Sequence, residues 1–436
     1  METILIAVGS LVPLLLILVV IHEFGHYATA RAMGVKVLEF GVGFPPRAFG
    51  FYTGNTPVLI SDATRFVGLS GKYELEVGEQ VKVRSMEDGH GNLVAKVIEL
   101  SKGLEEPEED RPCEEDLLLH EGKIRSITDG SMVLADMLYS VNWAPIGGFV
   151  RLAGESNPNV PRSLASKGIG TRFLVLVAGP LMNAILPLVI FTVLLMIPQE
   201  VSVGRLVIQE VGEGTAASEA QVRVGDIVLK ANSKDVENRL EFTREINLNG
   251  GSNMAMLVDR DGQEMLLNIS PRFDTESGRW LVGVLPRLDN VRLEKQSDPI
   301  WEAIPNSFVN TWEMLVLVKQ SLGGALGEGS SPEFSGPIGM AQATGEITRN
   351  GGWTGWLGVG ILLSINLAIL NILPIPMLDG GRIVFVVLEF VRRGKKIPAH
   401  RENMVHLIGF ALLLGGIALV TANDISRLID GRNFFG

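Results

Sequence analysis

The sequence predicts a polytopic α-helical membrane protein. It has four transmembrane helices, one extracytoplasmic folded module between the second and third, and an inserted cytoplasmic β-rich module after the first. Three observations carry this. Four apolar windows, approximately Ile4–Ala28, Phe173–Ile197, Trp356–Leu373 and Met404–Ala422, can cross a hydrocarbon core of about 30 Å. Between them, runs of period-two alternation bounded by turn residues read as strands. Basic residues gather at one set of window ends: Arg31, Lys36 and Arg47; Arg162, Lys167 and Arg172; and Arg382, Arg392, Arg393, Lys395, Lys396 and Arg401. The positive-inside rule puts these in the cytoplasm, and both termini and the 199–354 stretch outside.

With 436 residues, 46% of them hydrophobic, the chain is too long for one ordinary domain and too apolar in places to be wholly soluble. A net charge of -11 argues against a nucleic-acid partner. The charge is local, since residues 57–140 hold 18 acidic and 9 basic side chains. Cys113, the single cysteine, excludes an intrachain disulfide framework and a Cys-based structural zinc site, and among Glu114, Glu115 and Asp116 it reads as a surface residue.

Residues 1–34 form the first transmembrane element. It is expected to be a retained helix, because Glu2 is the only charge before the apolar run and no A-x-A-like cleavage site follows. Its end carries Ile21-His22-Glu23-Phe24-Gly25-His26, an H-E-x-x-H motif. On a helix, His22 and His26 lie one turn apart on one face and can offer two imidazole nitrogens to one metal ion, with Glu23 beside it as proton acceptor. Three ionisable groups at the edge of an apolar segment are costly in a bilayer, which makes this a functional site by default. A zinc site of this kind needs a third protein ligand and an open position for water, and the chemistry implied is metal-assisted hydrolysis.

Residues 35–56 and 139–155 read as a membrane-associated β-hairpin, broken at Gly41–Pro46. If these strands approach the metal helix, one edge can pair with an unwound substrate backbone by β-addition. Residues 57–138 read as an acidic β-rich module, with strands at Tyr73–Val77, Val81–Arg84 and parts of Leu93–Leu100, turns at Asp88-Gly89 and His90-Gly91, and a Glu-rich loop from Leu104 to Asp116.

The second transmembrane helix, 172–198, contains Ala178-Gly179-Pro180-Leu181-Met182-Asn183. Asn183 is either an interhelical hydrogen bond or a contact for a peptide inside the membrane. Residues 200–286 follow the order of a bacterial PDZ module. A strand over Val207–Val211 leads to Gly214-Thr215-Ala216-Ala217, then to a turn at Gly225-Asp226 before a buried strand, and to a hairpin turn at Asp261-Gly262 before a final strand near Met265–Ile269. Its groove either binds peptide or obstructs access. Residues 300–340 read as an amphipathic surface helix, anchored by tryptophan, and a connector.

The third transmembrane element, 353–390, ends in Asn371-Ile372-Leu373-Pro374-Ile375-Pro376-Met377-Leu378-Asp379-Gly380-Gly381-Arg382. Two prolines must break the helix there, which places Asp379 to complete a two-histidine, one-carboxylate site. Asn371 can donate to an oxyanion or to substrate. The fourth helix is 403–423, and His90, His120, His400 and His406 have no partner at metal-ligand spacing.

H-E-F-G-H, A-G-P-x-x-N, the PDZ module, S-G-P-I-G and N-x-x-P-x-P-x-L-D-G-G together resemble the bacterial site-2 proteases of the RseP type, over Met1 to about Thr56 and Tyr139 to Gly436. The resemblance implies an inner-membrane zinc endopeptidase that makes the second cut in regulated intramembrane proteolysis. Its substrates would be single-pass membrane proteins such as anti-sigma-factor-like proteins or signal-peptide remnants. It implies His22, His26 and Asp379 as Zn2+ ligands, Glu23 as catalytic base, and Asn371 and Asn183 as substrate or active-site contacts. Two departures stand out: one PDZ module rather than the tandem pair of the best-known members, and the acidic insertion. The rival readings are a non-proteolytic membrane PDZ adaptor, which needs no zinc, and a metal transporter, which has no use for Glu23.

Overall fold

A computed structural model of the chain describes residues 2–67, 75–100, 116–155, 157–274, 279–326 and 336–429. Two compact units emerge, Met1–Ile185 with Phe334–Gly436, and Leu186–Glu333.

In the first unit, α1 (Glu2–Ala32) leads into β1 (Val37–Thr53) and a closed barrel of β2 (Thr56–Val67), β3 (Gln80–Glu87), β4 (Leu93–Leu100), β5 (Leu118–Thr128) and β6 (Ser131–Ala135). The chain returns through β7 (Met137–Leu152) to α2 (Ile169–Met196). β1 and β7 each fold back on themselves, so Val37–Phe44 lies opposite Ala144–Leu152 while Arg47–Thr53 lies opposite Met137–Asn142. The barrel closes because β2 pairs with β4 on one side and β6 on the other, and β3 and β5 alternate buried and outward residues along most of their length. Val81, Val83, Ala95, Ile98, Ile124 and Leu134 fill it. The expected strand at 73–77 is not one in its described part. Leu75 is buried in the barrel core on irregular backbone that turns at Gly78, and Tyr73 and Glu74 lie outside the described residues, as do Cys113 and most of the Glu-rich loop.

A polar cluster sits where the chain enters and leaves the barrel. Ser85 donates its hydroxyl to His120 Nε2 at 2.7 Å, and His120 Nδ1 donates to Asp136 at 2.6 Å. Asp136 also accepts from Lys36 Nζ at 2.5 Å and Thr56 Oγ1 at 2.7 Å. Ser85 and His120 are completely buried.

The second unit holds β8 (Gln199–Val211), α3 (Ala216–Glu219), β9 (Ile227–Ala231), β10 (Lys234–Asp235), α4 (Arg239–Leu248), β11 (Met254–Arg260), β12 (Gln263–Ile269), β13 (Arg272–Asp274), β14 (Arg279–Leu281), β15 (Val284–Gln296) and α5 (Ile300–Leu326). Thr215 and Asn238 cap α3 and α4 by accepting backbone N–H groups. Asp261 and Gly262 both take positive φ, as the β11–β12 hairpin turn requires. β12 is not the final strand, as the sequence suggested. β15 runs past 286 to Gln296 and pairs along β8 from Val211 to Gln199. Its charged Arg287, Asp289, Arg292 and Glu294 conceal the strand signal. α5 buries Ala303 and Ser307 and leaves Trp301, Phe308 and Trp312 exposed, the Trp301 side at 73%.

The first unit is completed by α6 (Pro337–Ile372), α7 (Asp379–Val391) and α8 (Ala399–Ile429). The expected connector before residue 353 is helical instead. Pro337 sits at the first turn of α6, and the Asp424 carboxylate on α8 accepts from Gly336 and Gly339 N–H at 3.1 and 3.0 Å. That cap comes from a residue remote in sequence, and the Gly- and Thr-rich local composition hides the helix; a kink at Gly352 (φ 59°) marks where the apolar part begins. Among the described residues, four helices are long and apolar enough to cross a membrane: Ile6–Ala32, Ile169–Met196, Pro337–Ile372 and His400–Arg427.

Candidate metal centre

One face of α1 carries His22 and His26, and their rings meet edge to face with centroids 4.8 Å apart. α6 stops at Ile372, because Pro374 and Pro376 lack N–H groups for the helix ladder, and a turn of six residues delivers Asp379 at the start of α7. Gly380 makes that turn possible, since a Cβ there would run into the carbonyls of Ile372 and Leu373. Asp379 Oδ2 then stands 3.0 Å from His22 Nε2 and 3.2 Å from His26 Nε2. These three ligand atoms lie within 4.8 Å of one another, and no other such group of three is found among the described residues.

α2 closes the other side. Gly179 packs so tightly that a Cβ would collide with both imidazoles, which is the physical content of the A-G-P motif. The carbonyl of Val175 accepts from His26 Nδ1 at 2.8 Å, leaving the Nε2 lone pair directed at the cluster. Asn183, 1% exposed, has its amide 3.4 Å from His22 Nδ1, and its Oδ1 is buried with no hydrogen-bond partner. Its backbone carbonyl accepts from Ser364 on α6 at 2.7 Å, so α1, α2 and α6 are joined around the imidazoles.

Glu23 reaches the same cavity, of about 220 Å³, together with His26, Asp379, Phe149 and Val150. Its carboxylate accepts the Val150 N–H at 3.0 Å. That hydrogen bond, between α1 and the returning arm of β7, has no signature in the sequence. Asn371 lies in the last turn of α6, half-buried, and its side chain makes no hydrogen bond to another described residue. Arg382, three residues beyond Asp379, pairs with Glu155 at 2.8 Å, and both line the cavity.

The model of peptidase family M50 matches residues 10–66 and 128–416, and that of a domain of unknown function (DUF5666) matches 50–99. The stretch the peptidase model skips falls inside the barrel module. A zinc metalloprotease RasP from Geobacillus kaustophilus is 30% identical over 421 residues, covering 94% of this chain and 95% of that protein. The regulator of sigma-W protease RasP from Bacillus subtilis is 28% identical over 422 residues, covering 94% and 96%. Among solved structures, the PDZ domain of an SdrC-like protein from Listeria monocytogenes covers 19% of this chain and 85% of its own, at 14% identity and a TM-score of 0.17. With the peptidase model matched over most of the chain and relatives aligned over nearly all of it, the chain belongs to peptidase family M50 and is a zinc metallopeptidase.

Proposed function

We propose that this enzyme is an intramembrane endopeptidase that cleaves single-pass membrane proteins within or beside their transmembrane segment, as the second of two cuts. The observation that carries the proposal is the convergence of His22, His26 and Asp379, with Glu23 in the same cavity, at the end of a membrane-length helix. Two imidazole nitrogens and one carboxylate oxygen are the donor set of a catalytic zinc site with a position left open. When bound there, zinc polarises the substrate carbonyl and lowers the pKa of a water molecule. Glu23, oriented by the Val150 N–H, takes the proton of the attacking water and returns it to the amide nitrogen as the C–N bond breaks.

Asn183 supports His22 in this reading rather than touching substrate. Exchanging the two ends of its amide puts Oδ1 against His22 Nδ1–H, which satisfies the orphaned oxygen and frees the Nε2 lone pair for the metal. Asn371 is assigned to the substrate backbone or the oxyanion. The Gly148–Leu152 arm of β7 pairs with β1 on one side while its Val150 N–H points to Glu23, so a substrate strand unwound from its helix can dock along it by β-addition.

The basic residues at the helix ends favour an active site and barrel on the cytoplasmic side, with the termini and the 200–286 PDZ-like module outside. The Bacillus subtilis relative is named a regulator of sigma-W, which favours anti-sigma-factor-like membrane proteins as substrates, with signal-peptide remnants as a second source. Family membership disfavours the adaptor and the transporter. The test is co-expression of wild type or Glu23→Gln with single-pass proteins already trimmed of their external domains, followed by blotting. A shorter product with wild type alone supports the reading, and an equal yield from both overturns it.

A further inference from the structure

We propose that His406, on α8, is a positioning residue for Asp379, acting as a clamp on the turn that delivers it. The backbone of that turn allows a complete hydrogen-bond accounting. Leu373 N–H goes to the Ile369 carbonyl, Ile375 N–H to Leu373, and Leu378 N–H to Ile375, while Pro374 and Pro376 have none to give. Met377 N–H is left, and it donates to His406 Nδ1 at 2.9 Å. It is the one N–H of the turn held by a side chain.

Met377 is also the strained residue of the turn, at φ 82°, a conformation that a side chain disfavours. It stands two positions before Asp379. The His406 bond therefore holds a backbone conformation that the local sequence would not choose. A second contact comes from the same face of α8. Gly409, three residues after His406, lies so close to Pro376 that a Cβ would collide with the proline ring. His406 and Gly409 therefore grip adjacent residues of the turn. Because Nδ1 accepts, the ring hydrogen sits on Nε2, which has no hydrogen-bond partner, and Glu402 is 4.0 Å away. Phe385 on α7 packs against the ring, with centroids 5.5 Å apart.

This inference rests on Asp379 being a zinc ligand. The test measures zinc retained by the purified full-length protein during dialysis against a chelator, with the Glu23→Gln substitution in every variant so that turnover plays no part. His406→Leu removes the acceptor, and zinc is then lost on the order of 10-fold faster, as for other supporting partners of metal ligands. His406→Asn keeps an acceptor near the Nδ1 position and restores retention. Adding Met377→Gly to His406→Leu also restores it, because glycine adopts the positive φ without a clamp. Wild-type retention by His406→Leu overturns the proposal. So does failure of both rescues while the single variant stays folded by thermal melt. Should His406→Leu not fold, the comparison passes to Gly409→Ala with and without Met377→Gly, where the same rescue is expected and its absence overturns the clamp. Asp379→Ala separates the two readings: if it too keeps zinc, the metal site is wrong, and if it alone loses zinc, only the clamp is wrong.

Discussion

Among the described residues, two clusters bring histidine against aspartate, and they differ in what can reach them. At the end of α1, His22, His26 and Asp379 come together, and His26 and Asp379 border a cavity that they share with Glu23. At the mouth of the barrel, Ser85, His120 and Asp136 line up at 2.7 and 2.6 Å, the order in which a nucleophile, a base and an orienting acid are arranged in hydrolases. Yet the barrel cluster is sealed, with Ser85 and His120 wholly buried and Asp136 neutralised by Lys36. Geometry alone does not make an active site. A substrate must be able to reach the reacting atoms, and in the barrel the same residue types fasten strands together.

The sharpest way to break this comparison is to disable each cluster and ask what is lost. Glu23→Gln should lower the cleavage rate by roughly 10²–10⁴-fold, with zinc content per chain unchanged by elemental analysis, whereas His22→Ala should lose both. In the barrel, Asp136→Asn leaves Lys36 and His120 without their shared partner in a closed site, at a cost of about 3–5 kcal/mol. Limited proteolysis should then cut between residues 56 and 136 at lower temperature while bound zinc stays at the wild-type level. Zinc loss from Asp136→Asn equal to that from His22→Ala would erase the distinction.

A smaller effect is expected at Asn183. Asn183→Leu should weaken zinc binding by roughly 10–100-fold, measured by competition with a chromogenic chelator, without altering the fold. An unchanged zinc affinity would return Asn183 to a packing role.

The smallest effect is a pH dependence confined to the barrel. Burial, aided by the Lys36 and Arg162 cations, lowers the His120 pKa against the pull of Asp136. The unfolded chain takes up that proton at the ordinary value of about 6.5, so the barrel loses stability as pH falls below it. Burial opposes the Asp136 charge, but the His120 hydrogen bond and Lys36 outweigh it and hold this carboxyl at about 2. Its share of stability is present above about pH 4 and is lost as pH falls towards 2. His120→Gln should flatten the first part of this profile in a proteolysis series from pH 7.5 to 5.

Much of the fold was legible because the signals were local. Apolar runs announced the spans, and period-two patterns with Asp-Gly turns announced most strands of the module between the second and third. β15 was missed because its outward face is charged, and the first half of α6 because its helix is capped by an aspartate on α8. His120 and His406 gave no sign in the sequence, since the groups they hydrogen-bond, Asp136 and the Met377 N–H, come from other elements.

The sequence by itself determined which chemistry is on offer: imidazoles one helical turn apart, a glutamate between them, and a carboxylate freed by a double proline break. Periodicity and chain stiffness act over a few residues, so such facts can be read along the chain. Only the tertiary structure decided who meets whom. His26 and Asp379, 353 residues apart, come together because Gly179 lets α2 close on the imidazoles and the turn before α7 tolerates the approach of Gly380. Proximity between distant positions is a property of packing, and packing sums over the whole molecule.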